Sequence, residues 1–283
     1  MPRGDRSIVL RHLNTLFSVG MIGELTDAQL LERFTSHRDE TAELAFAALV
    51  ERHGPMVLRV CRAVLRDAHD ADDAFQATFL ILVRRARSLW VRDSLGPWLH
   101  EVAYRTASCA RSAAVRRSQH ELRAAVMTAR PPENRDRDDV GWIIQAEMNH
   151  LPRRYREAVV LCLLEGLTPE QAARHLGCPV GTVHSRLARG REQLRGRLTR
   201  RGLAVPAGLL AVGWASNGVS ALMPPALARL TIRTAVRLAA GQISVGVVPA
   251  SVAALARVVL RTMLMAKIRV TVATLLMPGV LAK

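Results

Sequence analysis

The chain of 283 residues carries 40 Lys+Arg against 24 Asp+Glu, a formal net charge of +16, and 49% of its residues are apolar. Such a basic excess points to a polyanionic partner, and the apolar fraction excludes a wholly disordered basic tail. Aromatics at 4%, with few Val, Ile and Thr runs before residue 230, exclude a β-rich body, so the expected fold class is all-α.

The only lysines are Lys267 and Lys283, which removes a phosphate-loop or Schiff-base lysine from the main body. Cys61, Cys109, Cys162 and Cys178 have no CxxC spacing, and the apolar run near the start is broken by Arg11 and His12. The chain therefore reads as intracellular, with reduced thiols and a cytoplasmic location. Charge is unevenly placed. Residues 174–201 hold eight Arg and the single acid Glu192, and residues 203–283 hold eight basic residues and no acid, so these stretches supply nearly all of the net charge.

In chain order, Thr26 is an N-cap for a short amphipathic helix over 24–37, with Leu30, Leu31 and Phe34 at helical spacing. Phe46, Leu49, Val50 and His53 line one face until Gly54-Pro55, and Val57, Val60, Cys61 and Val64 resume it, which predicts two packed helices broken at the proline. A third helix is predicted over 70–89 and a fourth over 95–117, with a polar turn at 91–94 between them. On the third, Phe75, Phe79, Leu82 and Ala86 share one side and Asp73, Gln76, Ala77, Leu80 and Arg84 the other. A core helix with a solvated polar face explains most of this pattern but leaves Leu80 unexplained.

Residues 118–139, with Pro131-Pro132 and dense charge, read as a flexible linker. After it, Tyr155, Val159 and Leu163 mark a helix stopping at Gly166. Thr168-Pro169-Glu170-Gln171 is a capping box with proline at the first helical position. Gly177 supplies a tight turn, and Pro179 opens a further helix whose buried side is Val180, Val183, Leu187 and Leu194. Two helices joined by a short glycine-containing turn describe a helix-turn-helix, against the plainer alternative of a hairpin with a solvated arginine face. The outer face offers His184, Ser185, Ala188 and Arg189, flanked by Arg186, Arg191, Arg195 and Arg197, so central donors would read base edges while flanking arginines hold phosphates. Gly190 inside this helix costs about 1 kcal/mol relative to Ala unless close packing requires it.

The strings DAHDADDAFQATFLILVRRA (67–86), PWLHEVAYRTA (97–107) and LPRRYREAVVLCLLEGLTPEQAARHLGCPVGTVHSRLARGREQLR (151–195) resemble the extracytoplasmic-function (ECF) group of sigma-70 family RNA polymerase sigma factors. The resemblance implies an N-terminal amphipathic segment (1–40), a sigma region 2 helical bundle (41–117), a linker (118–139), a sigma region 4 helix-turn-helix (140–201) and a helical C-terminal extension (202–283). It implies that Asp73, Gln76, Leu80 and Arg84 dock on the clamp coiled coil of core RNA polymerase, which would give Leu80 a reason to be exposed. It assigns residues 91–96, Trp98, Tyr104, Arg105, Arg111, Arg116 and Arg117 to the minus-ten element of promoter DNA. The outer face of the second helix, His184 to Arg197, falls to the minus-thirty-five element. Ala77, His184, Ala188 and Gly190 depart from the family's usual pattern. An anti-sigma factor is a candidate partner on the resemblance alone.

No catalytic motif occurs, and no enzyme activity or cofactor is expected. His175, Cys178 and His184 lack a fourth ligand at suitable spacing, so no metal site is read. In the extension, residues 203–228 are diluted by Pro and Gly and Ile268–Ala282 is interrupted by Arg269 and Pro278, so neither reaches the length of a membrane span. Amphipathic stretches at 225–240 and 250–268 would pack on the protein or a partner, with peripheral contact to an anionic membrane as the alternative. Truncation after Gly202 is expected to preserve transcription. The two other functional readings are a free-standing helix-turn-helix regulator and a membrane-associated interaction protein organised by its tail.

Overall fold

A computed structural model describes residues 25–89, 94–124, 140–203, 223–242 and 248–276, with side chains described except at 120–124 and 266–276. Residues 1–24 of the predicted segment 1–40, the loop at 91–93, most of the linker and the stretch 204–222 lie outside the described residues. The helices are α1 (Asp27–Ser36), α2 (Glu40–Val64), α3 (Ala68–Arg85), α4 (Gly96–Ala124), α5 (Val140–Asn149), α6 (Arg153–Val159), α7 (Pro169–Leu176), α8 (Val180–Arg200), α9 (Pro225–Ala239) and α10 (Ala250–Leu276). No strand occurs among the described residues.

Local chemistry sets most of the starts. The Thr26 side chain accepts from the Gln29 amide while the Gln29 side chain accepts from the Thr26 amide at 2.9 Å, a reciprocal cap for α1. Asp39 and Asp67 cap α2 and α3 one way only, each side chain accepting from an amide, that of Thr41 and that of Asp70. The predicted break at Gly54-Pro55 does not occur, because α2 runs through both residues. Gly54 has no Cβ to clash with the proline ring, and Met56, Val57, Leu58, Val60 and Cys61 beyond it are all buried, so tertiary burial outweighs the lost hydrogen bond. Helix α4 also continues past the expected boundary at 117, through Ser118–Ala124.

Helices α1 to α4 bury Leu30, Phe34, Phe46, Leu49, Phe75, Phe79, Leu82 and Leu99 in one core. Phe34, Phe46, Phe79 and Phe75 form a chain of tilted and edge-on ring contacts, with neighbouring centroids 4.7, 6.1 and 5.0 Å apart. That core runs on without a break into Met148, Leu151, Val159, Leu187, Leu194 and Leu198 of the second half and Leu227 and Ala235 of α9. The halves cross closely where α5 begins, since a Cβ on Gly141 would stand 2.6 Å from the Ala63 carbonyl oxygen.

A buried polar cluster joins the same halves. After α6 the backbone widens into a π-turn over Val160–Leu164, and the next residue, Glu165, lands against His53 of α2. The His53 ring meets Glu165 Oε1 through Nδ1 at 2.6 Å and Asp27 Oδ2 through Nε2 at 2.8 Å. Both partners are carboxylates, so both ring nitrogens donate and the imidazole is charged. Burial alone would push its pKa down, but Glu165 and Asp27 override it and raise it to about 10. Burial likewise opposes ionisation of Asp27, yet His53, the Leu95 amide and Arg52 hold its carboxyl well below the usual range. The Leu95 amide donates to Asp27 at 2.6 Å, and Arg52 does so at 2.6 Å.

Because the folded pKa of His53 exceeds its ordinary 6.5, its contribution to stability is complete below about 6.5 and is lost as pH rises toward about 10. Urea unfolding at pH 7, 8 and 9 should show stability falling by at most about 1.4 kcal/mol per pH unit. His53→Gln should lose that slope and cost about 3–5 kcal/mol at pH 7, because two carboxylates stay buried without their shared cation.

Candidate nucleic-acid and polymerase interface

The helix-turn-helix is built as its residues dictate. Thr168 and Gln171 exchange hydrogen bonds of 3.3 and 2.8 Å, Pro169 occupies the first turn of α7, and Gly177 turns the chain at φ +58°. Pro179 is the N-cap of α8, one position earlier than the sequence pattern places it. Ala172, Ala173, Val183 and Leu161 close a small core of their own between α7 and α8. Gly190 is buried, and a Cβ there would stand 2.8 Å from Val159 Cγ2, so close packing explains its place in the helix.

On the outer side of α8, His184, Ser185, Ala188, Arg189 and Arg195 are exposed. Arg186 and Arg191 are half-buried, and Arg186 reaches Cys178 Sγ at 3.8 Å. Arg197 turns inward to the buried carboxylate of Glu147 at 3.5 Å, where Arg201 joins it at 2.8 Å. The structure thus gives Arg197 an internal carboxylate partner that, among the described residues, Arg189 and Arg195 on the same helix are not given. Arg189 lies beside the Tyr155 hydroxyl and lowers its pKa.

The residues predicted for the minus-ten element are grouped along α4 but are differently engaged. Arg116 is exposed, and Arg117 faces Asp70 at 3.8 Å. Arg105 pairs with Glu101 one turn before it. Trp98 and Tyr104 are half-buried against the core. Arg111 donates to the Val64 carbonyl at 3.3 Å and lies 4.8 Å above the Trp142 ring of α5. Arg156 of α6 reaches Glu101 at 3.2 Å, and His100 meets Gln145 at 3.0 Å. Burial, helped by Arg156 and opposed by the Gln145 hydrogen bond, lowers the His100 pKa to about 4.

The predicted polymerase face departs most from expectation. Asp73 is half-buried and Arg84 exposed, whereas Gln76 and Leu80 between them retain only 6% and 3% of their exposure. Ala77, Leu80 and Ile81 form a second core with Val102 of α4 and Val252, Ala256 and Val259 of α10. Leu80 is therefore not an exposed residue, and a change of Gln76 and Leu80 to acids would break packing instead of leaving the molecule undisturbed. The sequence pattern separates the two faces of α3 and reads 250–268 as a stretch that packs on the protein or a partner, but it does not say that α3 is where that stretch lands.

An all-helical bundle followed by a helix-turn-helix with an exposed cationic arc defines a two-part DNA-binding transcription factor. Family models for Sigma-70 region 2 and Sigma-70 region 4 match residues 49–117 and 142–194. ECF RNA polymerase sigma factor SigM of Mycobacterium tuberculosis is 31% identical over 172 residues, 60% of this chain and 84% of that protein. SigE of Mycolicibacterium smegmatis is 31% identical over 59% of this chain and 66% of its own length, so just under two thirds of that relative is spanned. The sigma factor RpoE of Bartonella quintana, solved in complex with the anti-sigma factor NepR, superposes only loosely, with a TM-score of 0.27 at 22% identity over 53% of this chain and 94% of that one. The chain belongs to the sigma-70 family of RNA polymerase sigma factors, in its ECF group.

Gly190→Ala should lower stability by about 1–3 kcal/mol despite the better helix propensity of alanine, because Val159 is held in the core. Chemical denaturation of the variant against the parent protein checks this, and an increase would mean that the contact relaxes freely.

Proposed function

We propose that this protein binds core RNA polymerase through α3 and directs it to promoters, with α4 contacting the minus-ten element and α8 the minus-thirty-five element. The observation that carries the reading is the outer arc of α8. His184, Ser185, Ala188 and Arg189 are exposed at its centre, on a helix whose opposite side is anchored by Val183, Leu187, Leu194 and Leu198. A rigid helix with donors along one free face fits the major groove, and the remaining exposed arginines fit the phosphates beside it. On α4, exposed Arg116 and half-buried Trp98 and Tyr104 supply charge and ring faces for a backbone and unpaired bases. The protein itself is an initiation factor, and the chemistry belongs to the polymerase.

This reading constrains the two halves. Elements roughly 25 base pairs apart are separated by about 85 Å along a duplex at 3.4 Å per base pair. The contacts of Arg156 with Glu101 and of Arg111 with Trp142 hold the halves together, so they must part before one molecule reads both elements. The extension has exposed Arg229, Arg233, Arg237, Arg257 and Arg261, and among the described residues no helix is long and apolar enough to cross a membrane.

In a promoter-library selection with reconstituted holoenzyme, Arg189→Ala should lose about 1–3 kcal/mol on the preferred minus-thirty-five sequence and relax preference at one or two base pairs. Arg195→Ala should weaken all promoters about equally and reduce the salt slope by about one. A uniform loss from Arg189→Ala would move that residue from base reading to backbone holding.

A further inference from the structure

We propose that α10 is an internal competitor of core polymerase, docked on the α3 face and displaced when polymerase binds. The inference rests on the reading of α3 as the polymerase-docking helix. Val252, Ala256 and Val259 lie at i, i+4 and i+7, a single apolar stripe, and all three are buried against Ala77, Leu80 and Ile81 of α3 and Val102 of α4. Leu255, Leu260 and Met263 widen the contact on the α10 side, as Trp98 and Cys109 do on α4. The stripe lands on the same side of α3 as the predicted docking residues, opposite Phe75 and Phe79.

Two features make this contact separable from the rest of the fold. First, the fully buried residues of α10 belong to the second core alone and only half-buried Leu255 reaches the main core, whereas α9 contributes the buried Leu227 and Ala235 to the main core and only half-buried Leu238 to the second. Helix α10 can therefore lift while α9 stays anchored. Second, the contact is imperfect on the α3 side. Gln76, one turn before Leu80 on the covered side of α3, is buried with its Oε1 atom accepting no hydrogen bond. A buried amide oxygen without a donor disfavours the covered state of this face relative to one open to water. At the ends of the same face, Asp73 is only half-buried and Arg84 is exposed, so two charges remain available for a first contact with polymerase before α10 moves.

The consequence is a population effect. Apparent affinity falls in proportion to the competent fraction, so α10 docked in about nine molecules of ten weakens polymerase binding about tenfold, and in ninety-nine of a hundred about a hundredfold. Relief comes from whatever holds α10 elsewhere.

The test uses the full chain. Val252→Asp with Ala256→Asp places two charges in the stripe without altering α3, and should tighten binding to core polymerase at least tenfold. Val259→Asp, a smaller lesion at the far end of the stripe, should give an intermediate gain. Affinity that is unchanged or weaker in both, with the variants still helical, overturns the proposal. A measurement on the unaltered protein guards against misfolded variants. By hydrogen exchange, residues 252–263 should be protected in the free chain and lose protection at saturating polymerase, and protection retained in the complex overturns the proposal equally. Arg84→Glu in the released background separates this inference from its premise. If it weakens polymerase binding while the α10 variants bring no gain, α3 is the docking helix and α10 is not a competitor. If it changes nothing, α3 itself has been misread and the proposal falls with it.

Discussion

One imidazolium between two carboxylates holds the molecule's two halves in register. Neither Asp27 nor Glu165 could be buried as an anion alone, since the desolvation of an unpaired carboxylate amounts to several kcal/mol. His53 makes both tolerable at once, at 2.8 and 2.6 Å. It draws on α1, α2, the turn before α4 through the Leu95 amide, and the end of the π-turn. Much else follows from that placement. Gly96 must lack a side chain because a Cβ there would collide with the Glu165 carboxylate. The continuous core and the contacts across α4, α5 and α6 are compatible with this one docking of the halves.

Features governed by neighbouring residues were legible in the sequence, and features governed by distant ones were not. The N-cap at Thr26, the capping box at Thr168, the turn at Gly177 and the phenylalanine face of α3 are local patterns, and the structure contains each of them. The unbroken α2 runs against a local rule because the reward lies in the burial of residues on either side of Pro55. His53 was visible on the apolar face of its helix, but its partners lie 26 and 112 residues away in sequence. The π-turn has no composition signal. The arc of α8 was legible as a face, while the inward turn of Arg197 required knowing that Glu147 is buried beside it.

The extension shows why amphipathicity alone names no occupant. An apolar stripe with arginines opposite it suits a lipid surface or a groove in a protein equally well. In this fold the groove is supplied by the chain itself, between α3 and α4, and the arginines Arg257 and Arg261 stay on the outside. The same arrangement explains how α3, an apparently two-faced helix, is apolar on one side and mixed on the other yet buried on both.

Gly141 gives the junction of the halves a steric character that charge does not capture. Its α-carbon faces the Ala63 carbonyl, a backbone atom that cannot rotate aside as a side chain would. Any larger residue there acts as a wedge driven between α2 and α5, prising the halves apart by volume alone without changing any charged side chain. The balance between a closed and an opened molecule is thus adjustable at a site remote in sequence from the exposed arc of α8.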